Sequence, residues 1–411
     1  MFNPATPTIM HVDLNSCFAT IEQQANPRLR GRPIVVAAYT TGRGCILAAS
    51  VEAKCLGIKT GMRVSEGKNF YPRLIVLPPD PEKYRWVNRK LQTLLSSYTP
   101  YLSVESIDEM VMDLDKTPAL ERSSMISIAC KIKERIKREI GEWLTVSIGI
   151  APSRYLAKVA SGLHKPDGLD MITKENIEEI LTGLRLEDLC GIKEGNARRL
   201  RVAGITTPVE FFRVSGVSLV AAFHSKIGWD WWQRLHGYED GVKYKHFDEE
   251  ENTQKTFGQS FALGTPRVPS DPELTKIMAQ LIVKMGRRLR GSGFVAQAMS
   301  VSLLFTDYSH WVKNVRTREP LFADSDFLAQ ASALLRQAPG KQVRILAVTS
   351  FHLTMRGTGQ MGLWNTDETK WNITDALDTI ADRWGEFTVT PGSMLGGEQK
   401  VLDRIAFGKV V

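Results

Sequence analysis

Three carboxylates set the chemistry this sequence offers. Asp13 ends the short apolar run "TIMHVDL", and Asp108 and Glu109 stand side by side within "VESIDEMVMDL". Like charges placed together cost free energy unless a cation or a base neutralises them. If the two segments are neighbouring strands of one sheet, the three acids meet. Adjacent residues of a regular strand face opposite ways, so Asp108 and Glu109 share a site only where a turn or bulge interrupts the strand. Three acids with a backbone carbonyl make a hard, oxygen-only environment suited to Mg²⁺. Two such ions about 3.5–4 Å apart would activate an attacking oxygen and stabilise a leaving phosphate oxygen. The alternative for the same residues is a solvated hairpin tip and an unrelated strand-end aspartate.

Basic residues close to glycine supply the complementary chemistry. In "KVASGLHKPDG", Lys158 and Lys165 flank a turn that could reach phosphate, although ordinary surface lysines read the same way. In "LCGIKEGNARRLRVAGITT" (189–207), Gly191 and Gly195 permit a tight turn whose backbone N–H groups approach phosphate, with Arg198, Arg199 and Arg201 nearby. This pattern resembles a helix-hairpin-helix, a sequence-independent backbone binder, and a plain helical hairpin is the alternative.

The elements that must position these residues alternate through the first 170 residues. Strands are expected at 8–16, 33–39, 44–50, 74–80 and 144–150. Helices are expected at 83–98, with Val87, Leu91, Leu94 and Leu95 on one face, and at 123–139, with Ile126, Ala129, Ile132, Ile136 and Ile140 buried. A third helix from 153 runs into the turn at 168. From 173 to 241 the pattern is helical. "DEEENTQKT" (248–256) reads as a linker, and then helix, strand, helix, strand follow at 272–293, 296–307, 326–338 and 343–354. The whole is an α+β multidomain chain.

A chain of 411 residues is too long for one ordinary core. Its net charge of +8 is concentrated: residues 252–357 hold 14 Lys and Arg against 6 Asp and Glu. A basic module on a near-neutral body suits a nucleic-acid partner. The five cysteines show no CxxC spacing and read as reduced thiols. No signal-like leader or long apolar run is present, so a cytoplasmic protein is expected.

In order, "HVDLNSCFATIEQ", "VEAKCLGIKTGM", "ESIDE", "HKPDG" and "LCGIKEGNARRL" resemble the Y-family translesion DNA polymerases, closest to the bacterial DNA polymerase IV (DinB-type) group. The likeness covers roughly 8–357. It implies a right-hand architecture: a palm (8–17 and 80–172), small fingers (18–79), a thumb (173–241), a linker (242–252), a little finger (253–357) and a C-terminal tail (358–411). It implies that Asp13, Asp108 and Glu109, with the Leu14 carbonyl, hold two Mg²⁺. A primer 3′-hydroxyl would attack the α-phosphate of a dNTP, in low-fidelity lesion bypass without proofreading. Phe18 matches the steric gate, whose ring would collide with a ribose 2′-hydroxyl, although core packing is the plain alternative. Lys165 matches a lysine on the triphosphate, and Lys54 falls where the family carries a phosphate-binding arginine. Gly191, Gly195, Arg287, Arg288, Arg290, Lys313, Arg316 and Arg318 would track primed template DNA. Gln360, Leu363 and Trp364 in "GQMGLWN" are similar to peptides that bind the sliding clamp. A monomer is expected.

The departures from the family pattern lie around the nucleotide. Val51 and Lys54 stand where Tyr and Arg are usual, and Ala48 where a hydroxyl is common. Asn15 replaces a frequent Asp. Val51 and Lys54 motivate a second expectation, a DNA-binding accessory protein acting with a clamp and with little synthesis of its own. A cyclase on a similar palm would explain the acids but not the basic module.

Overall fold

The computed structural model describes residues 2–239, 255–356, 366–396 and 401. The expected linker and the expected clamp-binding residues Gln360, Leu363 and Trp364 lie outside the described residues. The chain divides into two compact units, Met1–Glu250 with Arg404–Val411, and Glu251–Asp403.

In chain order the first unit runs β1 (Ile9–Leu14), α1 (Cys17–Ala25), β2 (Ile34–Ala37), β3 (Ile46–Ala49), α2 (Val51–Cys55), α3 (Val64–Phe70), β4 (Ile75–Leu77) and α4 (Pro81–Ser96). It continues with β5 (Leu102–Val104), β6 (Glu109–Asp113), α5 (Pro118–Arg122), α6 (Met125–Glu139), β7 (Val146–Ala151), α7 (Arg154–Leu163) and β8 (Leu169–Met171). Helices α8 (Ile177–Thr182), α9 (Glu194–Val202), α10 (Pro208–Arg213), α11 (Gly216–Phe223) and α12 (Ile227–Leu235) complete it. The helix starts follow from local chemistry. Asp80 caps the Lys83 N–H ahead of Pro81, Ser124 caps Ser127, and Ser153 caps Leu156.

A five-stranded sheet in the order β5-β6-β1-β7-β8 divides this unit's interior. Met10, Val12 and Leu14 point into a core shared with α4 and α6, whereas Ile9 and Val111 belong to the core of α7 and the helices after it. Side chains alternate along a strand, so His11 and Asp13 share the α7 face. The helix at 125–139 buries Met125, Ile128, Ala129, Ile132 and Ile136, while Ile126 is exposed. The expected stripe was therefore out of phase at its first residue, because Ile126 is set by the capped start at Ser124 and faces outward. A separate three-stranded sheet, β3-β2-β4, has its own small core around Val35, Ile46, Ile58 and Leu74.

The second unit contains β9 (Thr256–Arg267), α13 (Pro272–Gly291), β10 (Phe294–Phe305), β11 (His310–Leu321), α14 (Asp324–Leu335), β12 (Val343–Met355) and α15 (Thr366–Trp384). Its antiparallel sheet has the order β11-β10-β12-β9, with α13 and α14 packed on one face. Strand β11 was not expected, because its polar sequence offers no buried alternation to read. Helix α13 is buried on more than one side, from Leu274, Met278 and Leu281 to Ala279 and Gln280. Residues beyond the sheet provide the second cover: the Val401 N–H donates to Gln280 Oε1 at 2.9 Å, and Lys284 pairs with Glu386 at 2.9 Å.

Candidate active site

Strand pairing puts Asp13 directly opposite Glu109. The Leu14 N–H donates to the Asp108 carbonyl at 2.9 Å. Asp108 lies in the turn before β6 and Glu109 opens the strand, so the pair sits at the interruption that sharing one site requires. Ser106 ties the turn down: its hydroxyl donates to Asp108 Oδ1 at 2.5 Å and accepts the Glu109 N–H at 3.1 Å.

Helix α7 and the turn after it bring the counter-charges, and a glycine lets the helix in. A Cβ on Gly149 of β7 would lie 2.0 Å from the Ala157 carbonyl oxygen and 2.2 Å from the Ser161 nitrogen. With α7 this close, Lys158 Nζ reaches Glu109 Oε2 at 2.6 Å, and Lys165 Nζ reaches Asp13 Oδ2 at 2.5 Å. His11 is buried on the same face, its Nδ1 3.1 Å from Ser161 Oγ. Burial, with Lys158 and Lys165 adding to it, lowers its pKa to about 3, so the ring is neutral.

One cavity of about 520 Å³ gathers Asp13, Leu14, Phe18, Lys54, Asp108, Glu109 and Lys165, with Ala48, Val51 and Cys55 in its wall. Burial pushes the Asp13 carboxyl above the usual range; Lys165 pulls it back, and Glu109 and Asp108 add to the rise. Burial likewise raises Asp108, the Ser106 hydroxyl opposes it, and Glu109 reinforces it. Lys54 is pushed down, by burial first and by Lys165 second. Burial raises the Cys17 thiol well above its ordinary value, which leaves it inert as a nucleophile.

The donor set fits a hard divalent cation. Two carboxylates are held against burial and mutual repulsion, and among the described residues ammonium groups supply the opposing charge in the cavity. Among the described residues no three acidic, His or Cys side chains yet surround one point at ligand distance. Lys158 and Lys165 occupy the carboxylate oxygens that an ion would take, and both are on rotatable stems.

Phe18 is both wall and core. It is 4% exposed, lines the cavity, and stacks on Tyr84 with centroids 4.4 Å apart and planes 11° apart. Tyr84 is fixed in turn by its hydroxyl, which donates to Glu22 Oε1 at 2.9 Å. Sequence reasoning missed Tyr84, Ser106 and Gly149. Of these, only Gly149, a glycine inside the apolar run "VSIGIA", carried a signal of close approach.

The expected DNA contacts separate into distinct groups. Gly191 takes φ +84°, and a Cβ there would press on the Trp231 ring at 2.9 Å. Gly195 lies in the first turn of α9 beside open space. Arg198 and Arg199 are exposed, whereas Arg201 pairs with Glu187. In the second unit Arg316 is exposed opposite Ala298 on the sheet face away from the helices, with Arg318 exposed two residues on. Lys313 pairs with Val301, whose side chain is in the helix-covered core, so it points to the other side of the edge strand. Arg288 is exposed and lies over the Phe257 ring at 5.9 Å. Arg287 and Arg290 do not join this surface. Arg290, its side chain 4% exposed, donates to Asp378 and Asp324, and Arg287 pairs with Asp382 at 2.5 Å. Their partners on α15 lie about ninety residues on, beyond any local reading of charge.

Comparison with known proteins agrees along the chain. Residues 12–162 match the impB/mucB/samB family, and residues 254–363 match the C-terminal domain of that family. DNA polymerase IV of Pelotomaculum thermopropionicum is 31% identical over 410 residues, covering 95% of this chain and 98% of the relative. DNA polymerase IV 1 of Bacillus subtilis is 29% identical, covering 98% and 96%. Among solved structures, a Y-family DNA polymerase chimera of Dbh and Dpo4 has the same fold, with a TM-score of 0.72 at 24% identity, over 85% of this chain and 99% of that one. DinB from Sulfolobus solfataricus aligns at a TM-score of 0.55 and 24% identity, over 84% and 98%. The chain belongs to the impB/mucB/samB family of DinB-type Y-family DNA polymerases.

Proposed function

We propose that the cavity performs template-directed transfer of a deoxynucleotide to a primer 3′-hydroxyl, in lesion bypass without a proofreading site. The observation that carries this reading is the gathering of three acids, two lysines and Phe18 around one cavity. Asp13, Asp108, Glu109 and the Leu14 carbonyl would hold two Mg²⁺. Bound there, such ions supply activation of the attacking oxygen and neutralisation at the leaving phosphate. The 3′-oxygen attacks the α-phosphorus, the bond to the β-phosphate oxygen breaks, and pyrophosphate leaves. Lys165 and Lys54 turn their ammonium groups to the triphosphate, freeing Asp13. Phe18, braced by Tyr84, rejects a 2′-hydroxyl.

In this reading the five-stranded sheet with α4, α6 and α7 is the palm (8–17 and 80–172), and residues 18–79 are the fingers. Residues 173–241 are the thumb and 253–357 the little finger. Gly191 and Gly195 with Arg316 and Arg318 contact the backbone of primed template DNA, and Gln360, Leu363 and Trp364 engage a sliding clamp. The protein acts as a cytoplasmic monomer.

Val51 and Lys54 in the cavity wall favour a second reading, a DNA-binding accessory protein with weak synthesis. Primer extension with Mg²⁺ and dNTPs separates the two. Extension by the wild type that disappears in Asp108→Ala/Glu109→Ala supports synthesis at this site. DNA binding without extension by the wild type supports the accessory reading.

A further inference from the structure

The turn that carries Lys165 is held from two sides by a network that no catalytic role requires. Asp167 takes a left-handed backbone, φ +59°, and Gly168 packs so closely that a Cβ would lie 2.3 Å from the His164 carbonyl oxygen. From outside the sheet, α6 grips this turn. Lys133 Nζ lies 3.1 Å from Asp167 Oδ1 and donates to the Gly168 carbonyl at 3.2 Å, and Lys137 Nζ lies 2.8 Å from Asp167 Oδ2. From inside, the Asp167 N–H donates to Asn15 Oδ1 at 2.8 Å. Asn15 Nδ2 donates to Ser147 Oγ at 2.9 Å, and Ser147 Oγ accepts the Gly168 N–H at 3.2 Å. An amide can accept from the turn and donate to the strand at once, which gives the unusual Asn15 a use.

We infer that Asp167 is a positioning residue for the nucleotide, latched by Lys133, Lys137 and Asn15 so that Lys165 is presented to the triphosphate. Lys165 must leave Asp13 as nucleotide binds, so its side chain swings while its backbone stays fixed. A swinging contact is productive only if its anchor is held to within about 0.5 Å. The latch supplies that anchor through α6, on the far side of the sheet from the acids. This inference rests on the reading of the cavity as a nucleotide site.

Three substitutions separate conformation from latch. Asp167→Gly keeps the left-handed backbone and removes the carboxylate from both ammonium groups, leaving Lys133 only the backbone carbonyls of residues 167 and 168. Asp167→Asn tolerates the same backbone and keeps an acceptor oxygen for one lysine. Lys133→Met loosens the grip without touching the turn itself. The readouts are single-nucleotide insertion kinetics, and dNTP binding by calorimetry to protein on a dideoxy-terminated primed template.

Asp167→Gly and Lys133→Met are expected to raise KM and the dNTP Kd roughly tenfold, with kcat within about twofold, the loss expected of one charge-assisted contact. Affinity for the primed DNA stays at the wild-type value, and Asp167→Asn recovers most of the nucleotide affinity. Wild-type nucleotide affinity in both Asp167→Gly and Lys133→Met overturns the inference. So does a parallel fall in kcat, nucleotide affinity and DNA affinity, which marks a merely structural role. If Asp167→Gly does not fold, Lys133→Met decides alone. A wild type that neither extends a primer nor binds dNTP overturns the inference together with the reading beneath it. An active wild type with unaffected variants overturns the inference alone.

Discussion

Replacing Asp108 with Asn should stabilise the first unit while abolishing synthesis. Burial raises the Asp108 carboxyl most, Glu109 adds to the rise, and the Ser106 hydroxyl opposes both only in part. Asparagine has nearly the same shape and still accepts from Ser106 Oγ, which lies 2.5 Å from Asp108 Oδ1. The exchange therefore removes a charge without opening a cavity. Relief of this kind at a functional site commonly stabilises by about 1 kcal/mol, or roughly 2–4 °C in Tm for a unit of this size. The folded carboxyl has a raised pKa, so the folded state binds the proton more tightly than the unfolded chain. Wild-type stability then falls as pH rises from the ordinary Asp value of about 3.9 through the raised one. The advantage of Asp108→Asn is full at pH 7.5 and closes as the solution approaches about pH 4. Scanning calorimetry of both proteins across that range, with EDTA present, measures it. Adding Mg²⁺ should then raise the wild-type Tm and leave the variant nearly unmoved. A variant that melts no higher than wild type at pH 7.5, or that keeps its advantage in acid, refutes the reasoning.

Phe18→Leu should raise the ratio of ribonucleotide to deoxynucleotide kcat/KM at least tenfold, read from insertion kinetics with UTP and dUTP, because less ring stands against the 2′-hydroxyl. Gly149→Ala should cost about 3 kcal/mol in urea unfolding and most of the activity, since its Cβ forces α7, with Lys158 and Lys165, off the sheet. Arg290→Met strands Asp324 and leaves Asp378 only its 3.8 Å pairing with Arg287, in a mostly buried network, and should cost about 3 kcal/mol, with the DNA affinity of the folded fraction unchanged. Arg316→Ala/Arg318→Ala should do the reverse: stability within about 0.5 kcal/mol of wild type, and a slope of log Kd against log salt shallower by about 2.

The parts of this fold legible in the sequence are those written in local pattern. Val87, Leu91, Leu94 and Leu95 are a helical stripe, and all four are buried in α4. The acids were legible because two adjacent carboxylates in an apolar strand demand a neutralising partner; their meeting with Asp13 was only conditional on the two strands being neighbours, and the β1–β6 pairing supplies that condition. What stayed hidden depends on contacts distant in the chain. Arg287 and Arg290 read as part of a basic face, yet Asp378 and Asp382 claim them from a helix whose docking no local rule foretells. Lys313 read as one more basic residue of that face, and only the register of β11 against β10 shows that it points away. The roles of Lys133 and Asn15 at the Lys165 turn are equally invisible, since each lies far from residue 167 in sequence and meets it only across the sheet.

The most direct test of the central claim is single-nucleotide insertion on four primed templates that differ only in the templating base, with wild type and Asp108→Asn and with a 3′-deoxy primer as control. The account predicts that wild type adds the complementary dNTP in each case, only with a divalent cation and a 3′-hydroxyl, and that Asp108→Asn binds the same DNA with no insertion. Addition that ignores the templating base, or that survives in Asp108→Asn, would contradict it.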